Sequence, residues 1–373
     1  MILNKLKIDK RELKQIDFLI LIIPIVIAIY SSLNIYSAVH RISSLSNTWE
    51  LQLIWCVMGL IAIYLIIKMD YNFFKNYAEI IYGLSIVLLI INDFFGSTRN
   101  GATGWIAIGQ RAIQPSEFAK VALVIILAKR LDGMKDGINT VKNFFIILLY
   151  AAVPTALVLI QPDMGMAMVY FFTVLGIVFV AGLDLRVILG GIFGIIVAVV
   201  GVWNTSLMQQ YWKARLTTFL NPEQYSSSTG LQLIQSQIAI GSGGILGKGF
   251  LKGTQIQGGY IPENYTDFIF SVVGEEWGLI GAIVLMLLYI ILIYRIIKMS
   301  KNSKDTFGKV FCVGMASTLL FSIYQNMGMT IGIAPISGLT LPFMSYGGSA
   351  MFTAFISIGI VLSIGIRKNK INF

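Results

Sequence analysis

Glu263, Asp267, Glu275 and Glu276 crowd the mouth of a long apolar run, in the stretch Ile261-Pro262-Glu263-Asn264-Tyr265-Thr266-Asp267-Phe268-Ile269-Phe270 and on through Gly274-Glu275-Glu276-Trp277-Gly278. A carboxylate beside hydrocarbon is costly to keep ionised, so its presence asks for water, a cation or a function. Asp267 stands where the run begins, in the first turn of an expected helix, where the helix dipole favours negative charge. It is the candidate reactive group: a general base, or a ligand for a divalent cation, magnesium or manganese.

Glu117 and Lys120, three apart at the start of another apolar run, share one helical face and can pair. Such a pair within a membrane is either functional or a structural ion pair. Gln114-Pro115-Ser116 just ahead reads as a helix start, and capping alone would account for it. Gln161-Pro162-Asp163 separates two apolar runs as a tight turn, where Asp163 either caps the next helix or orients a cation. Cations expected on the same, outer face are Arg99, Arg111, Lys213, Arg215, Lys248 and Lys252, each individually readable as a solvated or headgroup-facing charge.

Other chemistries are disfavoured. The glycine-rich stretch from Gly241 to Gly249 fails as a phosphate-binding P-loop, which would need Gly at Ser242 and Ser or Thr at Gly249, so no nucleotide cofactor is expected and a flexible loop is the simpler reading. There is no G-x-S-x-G, and the one histidine, His40, leaves no histidine-built zinc site. Cys56 and Cys312 sit in apolar runs as packing residues rather than a disulfide framework. The stretch Pro335 to Ser349 is too polar and too broken for a lipid-facing helix, and irregular backbone at that depth survives only where it is buried in protein or lines a wet cavity.

The elements that must position these residues are membrane helices. The chain has 373 residues, 56% hydrophobic and 12% charged, and its mean hydropathy of +0.79 is that of a polytopic membrane protein. An all-α fold of about ten transmembrane helices is expected, with spans near 17–38, 50–68, 74–92, 115–131, 142–160, 164–181, 187–203, 267–297, 307–331 and 346–367. The basic N-terminus, Lys5 to Lys14, and the apolar run after it superficially resemble a signal peptide; the run continues too far, so a retained first helix is expected. The net charge of +10 clusters at helix ends, including Lys68, Lys75, Lys129, Arg130, Arg295, Lys298, Lys301, Lys304, Lys309 and Arg367. That is the pattern that orients helices and meets anionic lipids, not one for nucleic acid. It puts both termini in the cytoplasm and makes 204–266 a large extracellular loop between the seventh and eighth helices of a single membrane domain over 1–373. Within that loop, Leu231, Ile234 and Ile238 form one apolar face of a helix able to lie flat at the interface.

Taken together, Pro262-Glu263, Thr266-Asp267-Phe268-Ile269-Phe270, Glu275-Glu276-Trp277-Gly278, Gln114-Pro115-Ser116-Glu117, Gln161-Pro162-Asp163 and Leu341-Pro342-Phe343-Met344-Ser345-Tyr346-Gly347-Gly348 resemble the SEDS family of shape, elongation, division and sporulation proteins, across essentially the whole chain. Gly253-Thr254-Gln255 resembles the elongation branch more than the division branch. Ala350 stands where a second serine commonly follows, and Ala102-Thr103-Gly104-Trp105 lacks a basic residue often found before the tryptophan.

The resemblance implies a bacterial cell-membrane peptidoglycan glycosyltransferase that polymerises lipid II for cell-wall elongation and cell shape, with its active face extracellular. It implies that Asp267 is the essential carboxylate. Around it, Glu117, Lys120, Gln114, Arg111, Arg215, Glu263, Thr266, Gln161, Asp163, Ser345, Tyr346 and Ser349 are the candidate substrate-binding or cavity-lining residues. The implied partners are lipid II as donor and acceptor, a class B penicillin-binding protein acting as transpeptidase, other elongation-complex proteins and membrane lipids. One carboxylate can suffice, because the leaving undecaprenyl pyrophosphate is already a stable anion and only the attacking hydroxyl needs a base. Rival readings are a flippase for lipid-linked precursors, a division or sporulation role within the same family, and a structural partner that only recruits a synthase.

Overall fold

The computed structural model describes residues 15–99, 102–109, 111–203, 205, 210–225 and 229–367. Ten long helices are found among them: α1 (Phe18–Val39), α2 (Thr48–Lys68), α4 (Ala78–Phe95), α5 (Pro115–Asp132), α6 (Val141–Ile160), α7 (Met164–Val180), α8 (Leu185–Val202), α12 (Ile269–Lys301), α13 (Thr306–Ile331) and α14 (Gly348–Ile366). Seven have the length and apolarity of a membrane span, and α7 and α8 are shorter apolar helices. The remaining one, α5, carries Glu117, Lys120, Lys129, Arg130 and Asp132, yet most of its length is buried inside the bundle. Each expected span is met by one of these helices; a short α3 (Asn72–Asn76) precedes α4.

At the centre, α5 and α13 pack against each other and α14 lies along α2. Close approach there depends on missing side chains. A Cβ on Gly59 would fall 2.4 Å from the Phe355 ring, so the α2–α14 contact needs glycine, the usual device where helices meet in lipid. The periphery is lipid-like: α8 exposes Leu185, Leu189, Phe193, Ile196 and Val200 and packs against α7.

Three features depart from the sequence reading. The polar connection before α5 forms a small antiparallel sheet, β1 (Ser97–Arg99), β2 (Ala102–Ile108) and β3 (Arg111–Ile113), with Ser97 opposite Trp105 and Ile106 opposite Ile113. The segment before α12 is largely helical: α9 (Gln210–Leu220), a 3-10 turn (Pro222–Tyr225), α10 (Thr229–Gly243) and α11 (Thr254–Gln257). The helix α10 turns its Leu231–Ile238 face outward from the protein, the side on which an interfacial helix meets lipid. Leu231 and Ile238 are exposed, whereas Leu233, Ser236 and Ala239 are buried where α10 packs on α12 and α13. Small residues let the backbones approach, and Ser236 Oγ donates to Thr330 O at 2.9 Å.

The glycine-rich stretch after α10 is not a free loop. Helix α12 breaks at Gly278 (φ +65°, ψ −161°), and the stretch is laid into the break. Lys248 N and Gly249 N donate to Glu275 O and Glu276 O at 2.9 and 3.0 Å, while Leu279 N and Ile280 N donate to Gly244 O and Ile245 O at 2.9 and 3.1 Å. The loop thus supplies partners to backbone groups that the break would orphan, which a membrane requires. A Cβ on Gly247 would lie 2.2 Å from Glu276 O, so only glycine allows this contact.

Candidate active site

The turn ahead of α12 is built around Glu263, which holds a left-handed backbone (φ +55°). A non-glycine residue does so at a cost of about 1–3 kcal/mol, and here the surroundings enforce it. Its carbonyl accepts from Thr266 N and Phe268 N at 3.2 and 3.1 Å, and its carboxylate accepts from Thr266 Oγ1 at 2.7 Å. Asp267 therefore sits in the turn, two residues ahead of the first helical residue Ile269 rather than in the first helical turn.

Three successive carbonyls of this turn are held from elsewhere in the chain. Tyr265 O accepts from Tyr346 N at 2.9 Å, Thr266 O from Ser345 Oγ at 2.6 Å, and Asp267 O from Asn326 Nδ2 at 2.8 Å. The backbone is fixed, and the Asp267 side chain is left to face the site.

That side chain faces Arg215 of α9. A Cβ placed on Gly338 would lie 3.5 Å from Asp267 Oδ2 and 3.6 Å from Arg215 Nη2, so both groups bear on one glycine, itself at φ +74°. Asp163 faces the same guanidinium: it caps α7 by accepting from Met166 N at 2.9 Å and accepts from Gln114 Nε2 at 3.2 Å. The two readings of Asp163, cap and cation partner, thus hold together. Burial, then the nearby Glu263, pushes the Asp267 carboxyl up to about 7; Arg215 opposes the rise and Asp163 adds to it. Burial also raises Asp163, against the pull of Met166 N and Arg215, and lowers Arg215, against the pull of Asp267 and Asp163. Gly104 of β2 closes over this group, its Cβ position 3.6 Å from Asp163 Oδ2.

Deeper in the bundle, Lys120 Nζ donates to Glu117 Oε2 at 2.5 Å, and Thr353 Oγ1 donates to the same oxygen at 3.1 Å. The pair lines an internal cavity of about 30 Å³ with Thr340, Pro342 and Ser357, room for about one water among polar partners. Ser349 Oγ accepts from Gln114 N at 3.1 Å, tying α14 to the start of α5.

The family model for the cell cycle proteins FtsW, RodA and SpoVE matches residues 11–370. The chain belongs to this SEDS family. It is 35% identical over 359 residues to the peptidoglycan glycosyltransferase MrdB of Escherichia coli K12, covering 96% of this chain and 95% of that one. A chain solved in work on the structural coordination of polymerization and crosslinking by a peptidoglycan synthase complex matches with a TM-score of 0.83 at 29% identity, over 95% of this chain and 98% of that one. The rod shape determining protein RodA of Thermus thermophilus matches with a TM-score of 0.71 at 27% identity, over 95% and 98%. The chain is accordingly a multi-pass membrane protein of the SEDS fold.

Not every expected residue of this SEDS protein is at the site. Gln161 is buried, donating through Nε2 to Leu89 O at 3.1 Å and accepting at its main-chain carbonyl from Thr103 N at 3.2 Å, so it ties α4 to the sheet. Ser345 and the Tyr346 amide act on the backbone of the turn. The Arg111 side chain lies outside the described residues. Sequence reasoning missed the groups that hold the broken 335–346 segment: Ser31 Oγ on Met344 O at 2.5 Å, Gln52 Nε2 on Ser345 O at 3.0 Å, Tyr289 OH on Pro342 O at 2.5 Å, Gln325 Nε2 on Pro335 O at 2.7 Å, and Asn326 Nδ2 on Leu339 O at 2.6 Å. Their signal was polarity inside apolar spans, most visibly the Gln325-Asn326 pair.

The residues do not fit a protein-built divalent-cation site. Asp163 already accepts from a backbone amide and Gln114, the Glu263 carboxylate from Thr266, and Asp267 faces a guanidinium. Among the described residues no group of three acidic, histidine or cysteine side chains is placed to share an ion.

Proposed function

We propose that this SEDS protein is a peptidoglycan glycosyltransferase that polymerises lipid II, with Asp267 as general base. The curated relative in E. coli is named a peptidoglycan glycosyltransferase. What supports the residue assignment is the place of the Asp267 carboxyl, beside Arg215 on a turn whose main chain Asn326 holds; burial raises it to about 7, so that it is basic enough to take a proton and about half ionised at neutral pH. In this reading Asp267 takes the proton of the acceptor sugar's 4-hydroxyl as its oxygen attacks the anomeric carbon of the donor. The bond from that carbon to the phosphate oxygen breaks, and undecaprenyl pyrophosphate leaves with the electron pair. Arg215 offsets the charge on the diphosphate. Direct displacement converts the α-linked donor to a β-linked chain.

The Asp267 end of the bundle is the extracellular face and both termini are cytoplasmic, since Lys68, Lys75, Lys129, Arg130, Lys298 and Lys301 lie at the other end. The role is cell-wall elongation, and the partner is a class B penicillin-binding protein supplying the crosslinking step. Polymerisation of lipid II by the purified protein in detergent, where no compartment exists to transport across, tests the reading. Polymer from wild type and none from Asp267→Asn is expected; full activity in that variant removes the aspartate from the chemistry.

A further inference from the structure

At the end of the bundle opposite Asp267 lies a second concave site of about 420 Å³, formed where α12 passes into α13 and lined by Lys301, Lys304 and Lys309 with Ser300, Ser303 and Thr306. The acidic residue in its wall, Asp305, is committed inward. Its Oδ1 accepts from Gly308 N at 2.9 Å, and its Oδ2 accepts from Tyr71 OH at 3.1 Å and faces Lys75 Nζ at 3.8 Å. Among the described residues, Lys301, Lys304 and Lys309 have no carboxylate partner. The amides at the start of α13 are likewise occupied, Phe307 N by Asp132 Oδ1 at 3.0 Å and Gly308 N by Asp305. Attraction for an anion therefore comes from the lysines, not from the helix end.

The site continues a lipid-type surface. Leu287, Ile290, Tyr294 and Ile297 are 50%, 55%, 61% and 40% exposed, and their three- and four-residue spacing runs on along one face to Lys298 and Lys301. From the break at Gly278 to its end, α12 is roughly 35 Å long at 1.5 Å per residue, about the thickness of the hydrocarbon core. The lysines thus stand at headgroup depth at the end of an apolar track.

We propose that this is a binding site for one anionic phospholipid, its headgroup phosphate between Lys301, Lys304 and Lys309 and an acyl chain along the exposed face of 287–297. The inference does not depend on the catalytic reading. Native mass spectrometry of the full chain in detergent, titrated with phosphatidylglycerol or phosphatidylcholine, tests it. Wild type should retain one phosphatidylglycerol in preference to phosphatidylcholine. Replacing all three lysines by alanine should weaken retention by about fivefold per lysine, and replacing all three by arginine should preserve it. A control lacking Lys68, Lys135 and Lys142 should bind as wild type. Equal retention of the zwitterionic lipid, equal loss in the control, or loss in the arginine variant overturns the site. So does displacement by millimolar inorganic phosphate, which would make it a site for free phosphate.

Discussion

Asn326, in the last third of α13, donates through its side-chain amide to the main-chain oxygen of Asp267 at 2.8 Å and, with the same nitrogen, to Leu339 O at 2.6 Å. One buried side chain thereby pins the acidic turn to the broken segment that walls the site. Asn326→Ala orphans one buried carbonyl, Leu339 O, at a loss of about 1–3 kcal/mol at most, and one part-buried carbonyl, Asp267 O, at less. We expect a variant that inserts in membranes, melts several degrees lower and polymerises at least tenfold more slowly. A variant that melts lower but works at wild-type rate would show that the clamp serves stability alone.

The raised Asp267 pKa makes a two-sided prediction. The carboxylate is the active form, so activity should rise with pH as a single ionisation through about 7. Because the folded pKa lies above the unfolded one, the native state holds the proton more tightly, and ionisation destabilises the fold as pH rises from about 4 to about 7. Asp267→Asn should therefore be inactive and, at pH 8, more stable than wild type by at most about 4 kcal/mol. Thermal melts of both proteins at pH 5 and pH 8 check this; a gap that does not widen at pH 8 counts against it.

Arg215 opposes the rise in the Asp267 pKa. Arg215→Gln should move the rising limb of the pH–activity profile to higher pH and lower the rate on its plateau. Profiles measured over pH 5.5–9 would separate the two effects, and an unmoved limb would mean that the guanidinium does not act on Asp267.

Gly247 and Gly278 are both at positive φ, and their backbones touch: a Cβ on Gly278 would meet Gly247 N at 2.3 Å. Alanine at either position should cost more than about 2 kcal/mol, since strain and clash add. Gly190 of α8 has nothing within 4 Å of its Cβ position, so Gly190→Ala should be neutral or stabilising by up to about 1 kcal/mol. Comparable melting temperatures for Gly247→Ala and Gly190→Ala would refute the seated loop.

Single cysteines in 204–266, introduced into a chain lacking Cys56 and Cys312, should react with an impermeant thiol reagent in intact protoplasts, whereas one at Lys304 should react only after lysis. The reverse pattern would invert the topology.

Much of this molecule is written in short range. Hydropathy over some twenty residues gives ten helices, the three-residue spacing of Glu117 and Lys120 gives their pair, and a carboxylate at the edge of an apolar run singles out Asp267. Prolines and polar residues between Pro335 and Ser349 announce broken backbone that has to be buried. Each of these follows from the free energy of one segment in water or hydrocarbon, so no fold is needed to see it.

Only the tertiary structure decided which groups satisfy that broken backbone, because a hydrogen bond between Ser31 and Met344 joins residues 313 apart and leaves no local mark. It also decided that the glycine-rich stretch seats in the gap of α12 rather than moving freely, and that the Gln161 side-chain amide donates to α4. The face of α10 turned into the protein is that of Leu233, Ser236 and Ala239, where small residues allow close approach to α12 and α13, while Leu231 and Ile238 stay on the outer side. Composition selects the solvent for each segment; pairing of distant polar groups, forced by the lack of water inside the bundle, selects the site.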